Sequence, residues 1–211
     1  MLSGDWSSDV CSSDLNANAD SVQWIELMDW EYSRMIQVDA GLLEHSNVNL
    51  EFKGLDTFAE VFLNDSVVLQ ADNMFQGRTS LDIKPRLKLG LNELRVVFHS
   101  PIKEGARSRV AYGIQLPHDS DPSGVSPYVR KAAYQFGWDF GPRLVTMGIW
   151  QDVALRCWGQ ATWLGAMMDE DWEGDNVRIA LYASFISEPF QGEEHDLVAL
   201  WDGKEQARIK S

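Results

Sequence analysis

From Val22 onward, apolar and polar positions alternate with a period of two, in short runs separated by turn residues. Val48, Leu50 and Phe52 alternate with Asn49 and Glu51; Ala59, Val61 and Leu63 follow, and Asn64-Asp65 offers a turn before Val67 to Leu69. Leu94, Val96 and Phe98 form another run after the turn Leu89-Gly90-Leu91-Asn92, and Trp150 to Trp158 one more, with Val153, Leu155 and Cys157 on one side. Successive side chains of a strand point to opposite faces, so each run predicts a β-strand with one buried face. No convincing amphipathic helical period lies between these strands, and the expected class is all-β, an antiparallel sandwich.

Two stretches break the alternation. Between Ser100 and Arg130 the chain is rich in Pro, Gly, Ser and charge, including Leu116-Pro117-His118-Asp119-Ser120-Asp121-Pro122, and reads as a long loop. Asp169 to Asp175 is acidic and reads as a solvated linker at a domain boundary. A fresh alternation follows at Val177, Ile179, Leu181, Ala183 and Phe185, then a strand at Leu197 to Trp201 and a turn at Asp202-Gly203. Two or three strands are fewer than the about seven of an immunoglobulin-like sandwich, so this second domain is expected to be cut short.

Charge and composition narrow the partners. The 211 residues include 32 acidic against 18 basic side chains, a net charge of -14, which disfavours nucleic acid and anionic membranes as partners. No apolar run is long enough to span a membrane, and the N-terminus lacks the basic start and apolar stretch of a secretory signal, so no compartment is indicated. Residues 1–15, MLSGDWSSDVCSSDL, contain a near repeat with no helical or strand period. They resemble adapter-derived sequence and are expected to be a non-native leader, Cys11 included, with a genuine flexible leader as the alternative on the residues alone. Cys157, the other cysteine, reads as a small buried apolar residue rather than a reactive thiol.

The chemistry-bearing motifs are few. There is no phosphate-binding glycine loop and no Gly-x-Ser-x-Gly elbow. His45, His99, His118 and His195 are scattered without metal-ligand spacing, so neither a metal nor a cofactor is expected. Asn92-Glu93 could suggest a glycosidase acid/base, but it enters a strand from a turn, where Asn92 supports the turn and Glu93 faces water. The stretch Gly137-Trp138-Asp139-Phe140-Gly141-Pro142 is different. Its aromatic faces can stack on sugar C–H surfaces, its carboxylate can accept hydrogen bonds from adjacent hydroxyls, and its glycines and proline set a sharp turn. The same residues could equally cap one end of a sandwich core, and chemistry alone leaves both readings open.

The order of motifs adds a resemblance. Asp29-Trp30-Glu31-Tyr32, then Gly54-Leu55-Asp56-Thr57 running on through Ala59, Val61, Leu63 and Asn64, then Asp72-Asn73-Met74-Phe75, then Arg130-Lys131-Ala132, and last Phe136 to Pro142 with Gly148-Ile149-Trp150 follow one another in the chain. From Trp24 to Trp158 this resembles the N-terminal domain of glycoside hydrolase family 2 β-mannosidases. The Gly-Leu-Asp-Thr part is similar to β-galactosidases and β-glucuronidases as well; the Phe-Gly-Trp-Asp-x-Gly-Pro part resembles the β-mannosidases, with Phe140 where the family more commonly has Trp.

The resemblance implies a galactose-binding-like jelly roll over residues 16–160, lacking early strands, and the truncated start of an immunoglobulin-like sandwich over 161–211. A catalytic (β/α)8 barrel would follow. The two glutamates of a retaining glycosidase would both lie on that barrel, beyond Ser211, so no catalytic residue is expected in this chain. Asp139 would hold sugar hydroxyls and Trp138 would wall the sugar subsite, with Phe136, Phe140 and Trp150 mostly in support. The implied partners are a β-mannoside oligosaccharide and the protein's own barrel.

Overall fold

The structure, a computed structural model, describes residues 18–77, 79–118, 121–138, 141–159, 161–187 and 196–210. It divides into two compact units, one reaching Cys157 and one starting at Trp158.

In the first unit, β1 (Trp30–Val38), β7 (Gly90–His99), β4 (Phe58–Leu63) and β5 (Ser66–Asp72) form an antiparallel sheet in that spatial order. A second sheet has the order β6 (Thr79–Asp82), β2 (Asn47–Phe52), β9 (Val153–Trp158). The inward residues of the two sheets meet in one core: Val48, Leu50 and Phe52 from β2, Val61 and Leu63 from β4, and Val96 and Phe98 from β7 are all but sealed from water. A short pair, β3 (Leu55–Asp56) with β8 (Gly148–Ile149), closes one end. This is the two-layer sandwich that the alternating pattern predicts.

The turns follow the residues. Asn64 and Asp65, joining β4 to β5, both have positive φ (48° and 64°), the geometry that matches the twist of paired strands. Asn92 supports its turn, as expected. Fully buried, it accepts from Lys88 N at 2.9 Å and Asn64 Nδ2 at 2.7 Å and donates to the Lys88 carbonyl at 2.7 Å. Cys157 lies half-buried against the core, where burial pushes its thiol pKa up.

Several expectations are corrected. Residues Asp20–Leu27 form a 3-10 helix, and the first strand starts only at Trp30. The stretch after Ser100 opens with α2 (Pro101–Tyr112); a shorter helix, α1 (Ala40–Glu44), lies between β1 and β2. The signals for α2 are at its ends rather than in an apolar stripe. Ser100 caps its first turn by accepting from Lys103 N, Pro101 occupies the first turn, Glu104 complements the dipole there, and Gly113 ends it in the left-handed region at φ 76°. Trp150, Gln151 and Asp152 precede β9 rather than belonging to it. Glu51, between Leu50 and Phe52 on β2, is buried as well, and an ion pair to Arg156 at 3.0 Å meets its charge.

The second unit consists, among the described residues, of two antiparallel hairpins: β10 (Ala161–Glu173) with β11 (Asn176–Ser187), and β12 (Asp196–Trp201) with β13 (Lys204–Lys210). The acidic stretch from Asp169 is therefore no linker. It is the far end of β10 and the hairpin turn, where strand ends reach water and carboxylates stay solvated. The Asp202-Gly203 turn appears as expected, with φ of 49° and 74°. No described helix is long and apolar enough to cross a membrane.

Candidate functional site

The aromatic stretch that raised the question of sugar binding is built on a second, smaller core. Val125, Val129, Phe136 and Val145 are buried together, with Ile102 and Ala106 of α2 and Phe58 packed against them. Phe136 and Val145 stand on either side of the loop, so the aromatic Phe136 is support, not surface. Between them the chain closes on itself: Leu144 N donates to the Gln135 carbonyl at 3.0 Å, and Gly141 N to the Trp138 carbonyl at 3.4 Å. Trp138, at the tip of this closure, is 60% exposed. Asp139 and Phe140 lie outside the described residues.

Both limbs of the loop are fixed by buried charge. On the entering limb, Lys131 Nζ donates to Asp56 Oδ2, the two side chains being 0% and 3% exposed. Asp56 also accepts from the Thr57 hydroxyl, and from Thr146 Oγ1 at 3.4 Å on the leaving limb. Thr146 lies within 3.1 Å of Gln135 Oε1, closing a ring of polar contacts at the loop's base. Burial pushes the Lys131 ammonium pKa down, opposed by attraction to Asp56 and the hydrogen bond between them.

The leaving limb has its own anchor. Arg143 Nη1 donates to Glu26 Oε2 at 2.6 Å and to Gln23 Oε1 at 2.8 Å, while Nη2 stands 3.9 Å from Asp121 Oδ1. Burial works against ionisation of Asp121. The Ser123 hydroxyl and the backbone N–H groups of Ser126, Ser123 and Val125 outweigh that effect, so its carboxyl stays below the ordinary aspartate range.

Motifs far apart in sequence therefore converge around one loop. Asn73 bridges Arg130 in parallel, Met74 N donates to the Arg130 carbonyl at 2.9 Å, and Arg130 pairs with Asp72 at 3.3 Å. Gly54 lies under the Trp150 ring, so close that a Cβ there would sit 2.4 Å from the indole nitrogen. Trp150 is half-exposed, covering Gly54 with one face. The sequence singles out Trp138 and Asp139 but not Arg143 or the anchoring role of Asp56 and Lys131, whose partners lie 117 and 75 positions apart in the chain. Among the described residues no group of three or more His, Cys, Asp or Glu side chains could hold a metal.

Two sheets packed around one core make the first unit a β-sandwich domain. The comparisons are specific. The glycosyl hydrolase 2 galactose-binding domain-like family matches residues 11–151, and the chain belongs to that family. It is 34% identical over 142 residues to the β-mannosidase of Capra hircus, covering 64% of this chain and 16% of that protein. It is 36% identical over 171 residues to β-mannosidase B of Aspergillus terreus, covering 78% and 19%. Among solved structures, the β-D-mannosidase of Dictyoglomus thermophilum superposes with a TM-score of 0.80 at 34% identity, covering 92% of this chain and 24% of that one. The chain thus spans about a sixth of the length of the goat relative it matches.

Proposed function

We propose that this chain is the N-terminal, sugar-binding portion of an exo-acting β-mannosidase, which removes terminal non-reducing β-D-mannose from oligosaccharides. The observation that carries the reading is the exposure of Trp138 on a loop whose two limbs are each anchored by an ion pair, in a chain 34% identical over 142 residues to a protein named β-mannosidase. In this reading Trp138 offers an apolar face to the sugar ring and Asp139 accepts hydrogen bonds from its hydroxyls. The bond-cleaving carboxylates belong to a barrel beyond Ser211, acting as nucleophile and acid/base with retention of configuration. The hairpins of the second unit are the opening strands of an immunoglobulin-like domain between the two.

The test is to express the full-length protein encoded by the gene and assay aryl β-mannoside, β-galactoside and β-glucuronide side by side. Preferential hydrolysis of the mannoside is expected, with no turnover by residues 1–211 alone. Faster hydrolysis of the galactoside or glucuronide, or turnover by the 211-residue chain that a mannosidase inhibitor abolishes, contradicts the reading.

A further inference from the structure

Arg143 follows the loop's last turn residues, Gly141 and Pro142, and its partners are themselves fixed. Gln23 accepts from its guanidinium and also donates, through Nε2, to the Arg143 carbonyl at 2.8 Å, so one residue holds both ends of the arginine. Glu26 is buried, and its own carbonyl accepts the Ser100 hydroxyl at 2.5 Å. Ser100 N in turn donates to Asp29 at 2.9 Å. Asp121 is held by four donors from residues 123 to 126. The guanidinium thus joins three segments: the 3-10 helix at 20–27, the turn at 121–126, and the loop.

We infer that Arg143 is a positioning residue for sugar binding, fixing the leaving limb of the loop that presents Trp138. This rests on the sugar-binding reading of that loop. Cohesion alone does not call for an arginine here, because Phe136 and Val145 already glue the limbs to an apolar core, and an apolar residue in place of a buried ion pair is often as stable. What a planar guanidinium adds is direction: its N–H groups point along fixed vectors, and a limb tied by them has one orientation. A loop ordered before the sugar arrives spends less of its contact energy on being ordered.

The experiment uses the full-length protein and an aryl β-mannoside, comparing wild type, Arg143→Lys and Glu26→Gln. Arg143→Lys keeps the charge and loses the fork; Glu26→Gln keeps the volume and weakens the anchor. Asn92→Ala, which removes hydrogen bonds at a turn outside this network, supplies a control destabilised away from the loop. Both test variants are expected to raise KM about tenfold with kcat within about twofold, while Asn92→Ala leaves KM unchanged. KM values in both test variants equal to that of the control overturn the inference. A wild-type protein that does not hydrolyse the mannoside overturns the functional reading instead.

Discussion

Lys131 and Asp56, 75 residues apart, meet in an ion pair sealed from water, and their contact ties the start of the aromatic loop to the short strand pair at the end of the sandwich. Removing one partner leaves the other charged and buried. Lys131→Ala is therefore expected to destabilise the chain by about 3–5 kcal/mol, and the double replacement Asp56→Leu with Lys131→Met to recover most of that loss. Urea unfolding of the two variants against wild type measures both; a single variant with an unchanged midpoint contradicts the anchor.

Gly54 has no room for a side chain. With Trp150 atoms at 2.4 and 2.6 Å from the place of a Cβ, Gly54→Ala has to displace the indole ring. The expected cost is about 1–3 kcal/mol, the range for overpacking a well-filled site. Thermal unfolding reports the loss and intrinsic fluorescence the displaced tryptophan; an unchanged melting temperature would mean that the ring does not rest on Gly54.

Ser100 serves two elements at once, capping α2 through Lys103 N and donating to the Glu26 carbonyl. Ser100→Ala should lower stability by about 1–2 kcal/mol, at the upper end for a lost cap. Ser100→Thr, which keeps the hydroxyl, should restore most of it in the same unfolding assay.

Acid should loosen the turn at 121–126. The Asp121 carboxyl has a folded pKa below its ordinary value of 3.8, so its contribution to stability is fully present above that value. It is lost as pH falls from there through the lower, folded pKa. Urea midpoints measured between about pH 5 and pH 3 should fall, and Asp121→Asn should flatten that fall while lowering stability at neutral pH. An equal slope in the variant would assign the acid sensitivity to other carboxylates.

Much of the fold is legible in the sequence, because a strand with one buried face writes its period directly into the residue order. Asn92, Leu94, Val96 and Phe98 alternate inward along β7, and Asn64-Asp65 and Asp202-Gly203 carry the only chemistry that tight hairpins need. What escaped has a different physics. Helix α2 packs through only a few residues, Gly105 and Ala106 among them, and is specified by its caps, Ser100, Pro101 and Gly113, so a search for apolar stripes passes over it. The 3-10 helix at 20–27 has apolar residues at Val22, Trp24, Ile25 and Leu27, a spacing too short to separate a strand from a helical turn.

The candidate site was half legible. Trp138 stands out for its residue type and is exposed as a sugar platform requires. The anchors do not stand out, because a lysine at 131 and an arginine at 143 look like surface residues until their partners, 75 and 117 positions away, are brought beside them by the fold.

The central claim is that this loop holds the terminal sugar, and Asp139→Asn together with Trp138→Ala in the full-length protein tests it most directly. Each variant is expected to lower kcat/KM for an aryl β-mannoside by about a hundredfold or more, while the melting temperature stays within about 2 °C of wild type. Variants that fold normally and retain wild-type kcat/KM would contradict the account, and would leave the aromatic loop as a cap on the sandwich core.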